Sequence, residues 1–98
     1  MTSEEYDNLV KQEGTVLVDF YSDGCGPCRM LSPILEELNN VKVIKVNAGI
    51  ETALAVAHGI KGVPTLKFYK DGQLKETMVG LQSKELLQGK IDLINESS

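Results

Sequence analysis

The sequence predicts an α/β fold: a central mixed four-stranded sheet with helices on both faces, formed by one domain over residues 1–98. Apolar β-branched runs typical of strands alternate with patterns in which apolar residues recur at helical spacing. The last two strand patterns are separated only by Asp71-Gly72, a dipeptide favoured in tight hairpins. The order is therefore α-β-α-β-α-β-β-α. We expect parallel strand pairs from right-handed crossovers and one antiparallel hairpin.

The first half of the chain supplies a helix, a buried strand and a second helix. Ser3 is the predicted N-cap of the first helix, and Gly14 is predicted to end it. Residues 15–21 are almost all apolar, as expected for a strand that is covered on both faces. In residues 31–38, leucines and isoleucine recur at i, i+3, i+4 and i+7, which predicts a helix that Pro33 should kink.

The middle of the chain predicts an edge strand and a short helix. Residues 41–46 alternate valine or isoleucine with lysine, which indicates a strand with one solvated side or an edge position. Residues 51–58 should form a helix that ends before Gly59, a suitable C′ residue. Its predicted inward-facing residues are Ala53, Leu54 and Ala57.

The C-terminal part predicts the hairpin and a last helix. Residues 65–70 and 74–79 form the two antiparallel strands around Asp71-Gly72. Ser83 then caps a helix. Its predicted core-facing residues are Leu87, Ile91 and Ile94.

Composition limits the class of protein. No apolar stretch approaches the roughly 20 residues needed to span a membrane, and the acidic start of the chain lacks the features of a signal peptide. We therefore expect a cytoplasmic protein, where two cysteines indicate catalysis or metal binding more than a structural disulfide. The net charge of −4 and the scattered lysines argue against nucleic acid as a partner.

The Cys25-Gly26-Pro27-Cys28 segment lies between the buried strand and the second helix. The first thiol then lies near a helix N-terminus, where unpaired backbone N–H groups and the helix dipole stabilise a thiolate. The second lies close to one turn further on, so the two sulfurs can join or separate with little backbone movement. Pro27 suits the first helical turn because its missing N–H would be unpaired there. The spacing predicts a reversible dithiol.

Two other residues bear on this chemistry. Asp19 lies within the predicted central strand, where an uncompensated buried carboxylate costs several kcal/mol unless its pKa rises. A group of that kind beside a dithiol is interpreted as a proton carrier. The alternative for the cysteines is half of a zinc site, but only His58 is available as a further typical ligand, so zinc would require a dimer. His58 itself is expected on the surface, without a role.

The sequence resembles the thioredoxin family over nearly its whole length. The residues that carry the resemblance are Val18-Asp19-Phe20, Cys25-Gly26-Pro27-Cys28, Pro33, Lys45-Val46-Asn47, Gly62-Val63-Pro64-Thr65, Asp71-Gly72 and Val79-Gly80. The resemblance implies the thioredoxin fold, a cis Val63–Pro64 bond beside the cysteines, and an approach of Lys45 to Asp19.

The sequence also departs from the family pattern. The tryptophan that usually precedes the first cysteine is replaced by Gly24, and another tryptophan position is Tyr21, so the chain contains no tryptophan. The usual opening strand ahead of the first helix is absent. We therefore expect four strands, with residues 41–46 at an exposed edge. Residues 47–51 lack the family's usual aspartate.

The resemblance implies a protein-disulfide reductase. Cys25 would attack a disulfide in a client protein, and Cys28, with help from Asp19, would then resolve the mixed disulfide. A shallow groove of small residues would admit the client backbone; its predicted members are Gly24, Gly26, Pro27, Gly62, Val63, Pro64 and Gly80. No metal or organic cofactor is expected because the dithiol carries both electrons. The expected partners are a thioredoxin reductase and disulfide-containing clients, and the protein is expected to be a monomer.

Two other functions stay open at this point. One is an oxidising or isomerising oxidoreductase on the same fold, although Gly-Pro between the thiols favours a reductant. The other is a binding module without enzymatic activity, such as a zinc-bridged dimer. The electron donor of a reductase could be linked to a nicotinamide and a flavin or to ferredoxin.

Overall fold

The computed structural model describes residues 1–96, and its helices and strands follow the predicted order. The elements are α1 (Ser3–Val10), β1 (Thr15–Tyr21), α2 (Gly26–Glu36), β2 (Lys42–Asn47), α3 (Thr52–Ala57), β3 (Thr65–Lys70), β4 (Gln73–Val79) and α4 (Lys84–Glu96). No helix within this range is both long enough and apolar enough to cross a membrane.

The strands form one mixed sheet in the order β2-β1-β3-β4. Strand β1 pairs in parallel with β2 and antiparallel with β3, and β3 pairs antiparallel with β4. The four-stranded sheet and the edge position of β2 are confirmed for the residues that the structure describes. The hairpin is confirmed too: Asp71 and Gly72 both have positive φ, at 50° and 87°, as a two-residue type I′ turn requires.

The expectation that each crossover gives a parallel pair is wrong for β3. Residues 48–64 connect β2 to β3, and only six of them form helix α3. Strand β3 starts at the end of the sheet where β2 stops, and it runs antiparallel to β1. As a result, the start of β3 lies at the same end of the sheet as the end of β1.

Helices cover both faces of the sheet, as predicted. On one face, α1 and α3 pack against alternate residues of β1, and they do so through Tyr6, Val10 and Leu54. The other face packs α2 and α4, which contribute Leu31, Leu35, Leu87, Ile91 and Ile94. Because alternate residues of a strand point to opposite faces, β1 is buried on both sides, which explains its continuous apolar sequence.

The helix ends differ in detail from the prediction. Thr2, not Ser3, caps α1: its Oγ1 accepts a hydrogen bond from the Glu5 N–H at 3.0 Å. The Glu5 carboxylate in turn accepts one from the Thr2 N–H at 2.9 Å, which completes a capping box. Helix α1 also ends at Val10, before Gly14. The Ser83 cap of α4 is confirmed, since its Oγ accepts from the Leu86 N–H at 3.1 Å.

Of the residues predicted to face inward from helix α3, only Leu54 is buried. Ala53 and Ala57 are exposed, and the buried pair is Leu54 and Ala55. A helix of six residues contacts the sheet through few side chains, so its buried residues do not show the usual i, i+3, i+4 spacing. Gly59 is confirmed as the C′ residue: it has a φ of 68°, and the following N–H, of Ile60, bonds to the Ala55 carbonyl at 2.9 Å.

The expectation that His58 is a plain surface residue is wrong. Its ring lies 4.2 Å from the ring of Tyr6 and 5.9 Å from that of Phe20, measured between centroids. Burial and the nearby charge of Lys67 lower the pKa of His58. Its ring contacts are with two members of the apolar cluster on the sheet face opposite α2, the helix that contains Cys28.

The same cluster contains a buried hydroxyl pair that we predict to be important for stability. The hydroxyl oxygens of Tyr6 and Tyr69 lie 2.6 Å apart. Tyr69→Phe should lower the free energy of unfolding by about 1–3 kcal/mol, because the Tyr6 hydroxyl then stays buried without its partner. Denaturant unfolding measures this. The double variant Tyr6→Phe/Tyr69→Phe should lose less unfolding free energy than the two single variants lose in total. A loss equal to that total would contradict a coupled pair.

Candidate active site

The two cysteines lie at the N-terminus of α2, where a short loop after β1 leads into the helix. They form a disulfide, with Cα atoms 5.2 Å apart. Cys25 is the N-cap residue and is partly exposed, whereas Cys28 is buried, at 5% exposure. The Cys28 N–H donates to Cys25 Sγ at 3.2 Å. After reduction, this N–H and the helix dipole stabilise a thiolate on Cys25.

The antiparallel entry of β3 brings the Val63–Pro64 bond to the cysteines. This bond is cis, as the resemblance implied, and Thr65 directly after it pairs with Phe20 near the end of β1. The carbonyl oxygen of Val63 lies 3.8 Å from Cys25 Sγ. The carbonyl oxygen of Pro64 accepts a hydrogen bond from the Gly80 N–H at 2.8 Å. Four residues predicted for the site thus lie close together.

The other predicted groove residues are small and exposed. Gly24, Gly26, Pro27 and Gly62 are all exposed, and a Cβ atom added at any of these glycines would meet no atom within 4 Å. The exposed rim beside Cys25 therefore has room for an approaching backbone. Gly24 has a φ of 76°, a conformation that residues with a Cβ atom rarely adopt. Replacing it with tryptophan would therefore strain this loop.

A cleft of about 430 Å³ adjoins the buried cysteine, Cys28. It is bounded by β1, β2 and α2, and its lining residues are Asp19, Tyr21, Ser22, Asp23, Gly24, Cys28, Arg29, Ser32 and Lys45. The buried cysteine and the buried aspartate thus share one cavity. Lys45, which the pattern of β2 alone left uncertain, lies beside Asp19 in the register of β1 and β2 and lines this cleft.

Asp19 is a buried titratable carboxyl. It is 1% exposed, and its Oδ1 has no hydrogen-bond partner within residues 1–96. Burial raises the pKa of Asp19 to about 6, and the charge of Lys45 opposes part of that rise. A carboxyl with this pKa can accept or release a proton near neutral pH.

The structure adds polar residues that the sequence analysis did not single out. The Lys45 ammonium donates a hydrogen bond to the hydroxyl of Ser32, and Arg29 lines the same cleft. Ser32 lies four residues after Cys28, and residues at that spacing share one face of a helix. The spacing from Cys28 could have identified Ser32, because the second cysteine fixes which face of α2 lines the site.

The site thus combines an accessible sulfur at a helix N-terminus, a buried sulfur bonded to it, and a carboxyl that titrates near neutral pH. These are the groups that a two-electron thiol–disulfide exchange requires. Within residues 1–96, no group of three or more His, Cys, Asp and Glu side chains is placed to hold a metal ion.

Comparison with known proteins agrees with this geometry. The family model named Thioredoxin matches residues 1–93. The chain belongs to the thioredoxin family. It is 41% identical to a thioredoxin of Rickettsia felis over 94 residues, covering 91% of this chain and 87% of that protein. It is 40% identical to a thioredoxin of Bacillus subtilis over 89 residues, covering 86% and 83% respectively.

Solved structures of thioredoxins have the same fold. A mutant thioredoxin from Halobacterium salinarum superposes with a TM-score of 0.91 at 39% identity, covering 100% of this chain and 89% of that one. A mitochondrial thioredoxin of Saccharomyces cerevisiae gives a TM-score of 0.79 at 30% identity, with coverages of 91% and 87%. The thioredoxin fold is therefore confirmed.

Family membership and the bonded Cys25–Cys28 pair confirm the predicted class of activity. The chain is a thiol–disulfide oxidoreductase. Membership in the thioredoxin family also implies, in general terms, a reductase that supplies electrons and clients that contain disulfides.

The buried carboxyl leads to a prediction about stability and pH. Because the pKa of Asp19 is about 6 in the folded protein and 3.8 in the unfolded chain, the fold binds more protons between these values. The resulting penalty is absent below about pH 4, grows as pH rises towards 6, and is complete above about pH 7. Asp19→Asn removes this titration and should stabilise the oxidised protein at pH 8 by up to about 3 kcal/mol relative to its effect at pH 4.

Denaturant unfolding of both proteins from pH 4 to 8 measures this difference. An equal effect of Asp19→Asn at both ends of the range would show that Asp19 is not the titrating group.

Proposed function

We propose that this chain reduces disulfides in client proteins, with Cys25 as the nucleophile and Cys28 as the resolving thiol. The observation that carries the proposal is the difference between the two sulfurs. Cys25 is accessible and accepts a hydrogen bond from the backbone at a helix N-terminus, whereas Cys28 is buried and lines the same cleft as Asp19. An exposed, stabilised thiolate suits the first attack, and a buried thiol next to a base suits the second.

In the first step the Cys25 thiolate attacks one sulfur of a client disulfide. The client S–S bond breaks, a mixed disulfide with Cys25 forms, and the other client sulfur leaves as a thiolate that takes a proton from water. The exposed rim formed by Gly24, Gly26 and Gly62 leaves space for the client backbone. The loop around Val63 and Pro64 forms the neighbouring wall of this groove.

In the second step Cys28 gives its proton to the Asp19 carboxylate and attacks Cys25 Sγ. The mixed disulfide breaks, the second client sulfur leaves as a thiolate, and the Cys25–Cys28 disulfide forms. The client has gained two electrons and the enzyme has lost two. A thioredoxin reductase then returns two electrons to the dithiol, and we propose that no metal or organic cofactor resides in the protein.

Lys45 has a supporting role in this scheme. Its charge opposes the burial effect on Asp19, so it keeps a fraction of the carboxyl ionised and able to accept the proton of Cys28 near neutral pH. Pro27, at the start of α2, and Gly80, bonded to the Pro64 carbonyl, complete the surroundings of the cysteines.

The proposal extends to the setting of the enzyme. We propose a cytoplasmic monomer whose single domain spans residues 1–98 and whose partners do not include nucleic acid. The net charge of −4 and the use of both cysteines in one redox pair support this setting.

The order of the two thiols can be tested by trapping. Cys28→Ser should accumulate a mixed disulfide between Cys25 and a disulfide-containing client such as insulin, because the resolving thiol is absent. Mass spectrometry of the trapped adduct measures this, and alkylation of the reduced wild type at pH 7 should modify Cys25 first. Cys25→Ser serves as the matched control and should trap little client. Preferential trapping by Cys25→Ser would reverse the assignment, and an oxidising midpoint potential in a redox titration would favour an oxidase or isomerase.

The role of Asp19 can be tested on the second step alone. Asp19→Asn should lengthen the lifetime of the mixed disulfide about 10- to 100-fold at pH 7, because Cys28 loses the base beside it. It should leave the first attack by Cys25 nearly unchanged, and stopped-flow kinetics with a labelled client disulfide separates the two steps. Asp23→Asn is the matched control, because Asp23 lines the same cleft but is exposed. A normal lifetime in Asp19→Asn would remove Asp19 from the mechanism.

A further inference from the structure

The Lys45 ammonium makes a hydrogen bond to a group other than the Asp19 carboxyl. Lys45 lies on the edge strand β2, directly beside Asp19 in the register of the sheet, and it is exposed. Its ammonium nevertheless donates a hydrogen bond to the Ser32 hydroxyl on α2. The side chain therefore reaches from the sheet edge across the mouth of the cleft to the helix.

Ser32 is well placed for this contact. It is half-buried, it lies one helical turn after Cys28, and it lines the cleft together with Asp19 and Lys45. Its hydroxyl can accept a hydrogen bond from an ammonium without adding a charge of its own. The contact thus holds a cation at the cleft without neutralising it.

The pKa of the Asp19 carboxyl in this cleft depends on the charge of Lys45. Oδ1 of Asp19 has no hydrogen-bond partner within the described residues, and Lys45 is the group whose charge opposes the effect of burial on it. Leu66 of β3, which pairs with Asp19 in the sheet, and the α2 and α4 residues of the adjoining cluster are apolar. The other titratable or charged groups that line the cleft are Tyr21, Asp23, Cys28, Arg29 and Lys45.

We propose that Ser32 is a positioning residue for the thiol–disulfide exchange: its hydroxyl holds the Lys45 ammonium over the cleft and so sets the proton affinity of Asp19. The proposal rests on the role proposed for Asp19 in the function above. It assigns to Ser32 an effect exerted wholly through Lys45, without contact between Ser32 and the reacting sulfurs.

Loss of the Ser32 hydroxyl should let the ammonium withdraw into water. An ammonium is strongly hydrated and sits on a flexible stem, and β2 is a sheet edge with solvent beside it. A direct pair with Asp19 would instead require both charges to lose hydration in the cleft, which is unfavourable. The carboxyl would then feel less positive charge, and its proton would be held more tightly.

The test is a titration of the Asp19 carboxyl carbon by NMR in oxidised wild type, Ser32→Ala, Lys45→Met and the double variant. Lys45→Met should raise the pKa of Asp19 above its value of about 6, and Ser32→Ala should raise it by a smaller amount, roughly half a pH unit. In the Lys45→Met background, Ser32→Ala should have no further effect. Ser32→Thr, which keeps a hydroxyl, should restore the wild-type titration.

Ser22→Ala is the matched control, because Ser22 lines the same cleft, and no hydrogen bond from Ser22 to Lys45 occurs among the described residues. An unchanged or lowered pKa in Ser32→Ala, or an equal rise in the presence and absence of Lys45, would overturn the proposal. Alanine is compatible with a helix, and far-ultraviolet circular dichroism checks that each variant is folded.

The titration also separates this inference from the proposed mechanism. If Asp19→Asn resolves its mixed disulfide at the normal rate, the proton-carrier role of Asp19 fails. The titration of wild type, Ser32→Ala, Lys45→Met and the double variant still decides whether Ser32 positions Lys45. If both hold, Ser32→Ala should shift the pH profile of the resolving step upward by the same amount as the pKa of Asp19.

Discussion

Strand β1 is covered by helices on both faces, and the place where it ends determines where the whole site lies. The chain leaves β1 at Tyr21 and enters α2 at Gly26, which puts Cys25 at the helix N-terminus. Strand β3 runs antiparallel to β1, so it starts at that same end of the sheet and brings the cis Val63–Pro64 bond to Cys25. The accessible sulfur and the backbone of β3 therefore meet at one end of the sheet, where the Val63 carbonyl oxygen lies 3.8 Å from Cys25 Sγ.

The same burial gives Asp19 its chemical properties. Val16, Leu17, Val18 and Phe20 of this strand are fully buried apolar residues that pack on one face or the other. A carboxyl among them is unfavourable when ionised, and that cost is what moves its pKa towards neutrality. An apolar residue at position 19 would serve the core better, and a surface aspartate would titrate too low to exchange protons with a thiol. The position of Asp19 is therefore costly for folding and suited to proton transfer for one and the same reason.

Most of the fold was predictable from the sequence because long, regular patterns determine it. Thr15–Tyr21 and Thr65–Lys70 were predicted with the bounds that the structure shows, and Asp71-Gly72 fixed the hairpin. The direction of β3 was not predictable from the sequence, because the alternation of side chains is the same in parallel and antiparallel strands. The burial of Ala55 in place of Ala53 and the packing of His58 on Tyr6 depend on a helix too short to show a period.

The site was predictable to the extent that its chemistry lies in a local motif. Cys25, Cys28 and Asp19 could be identified from spacing and burial, and the resemblance added Pro64 and Lys45. Ser32 was missed although its spacing of four residues from Cys28 puts it on the same face of α2; what the sequence does not show is its contact with Lys45, which depends on the facing strand. The structure also changes the meaning of Gly24: its positive φ shows that the loop before Cys25 has its own backbone conformation. A tryptophan at this position would have to adopt a backbone conformation that residues with a Cβ atom rarely adopt.

Lys45 shows how the edge of the sheet and the chemistry are connected. An edge strand exposes unpaired backbone groups, and lysines on it discourage pairing with another chain. Lys42 and Lys45 are the exposed residues of β2, so the strand carries this protection at two positions. Lys42 extends to Gln12, at 2.7 Å, whereas Lys45 extends to Ser32 over the cleft. The charge of Lys45 therefore affects the pKa of the Asp19 carboxyl and also protects the sheet edge. Both effects are possible because β2 is an edge strand, from which the lysine side chain can extend to α2 beside the buried strand β1.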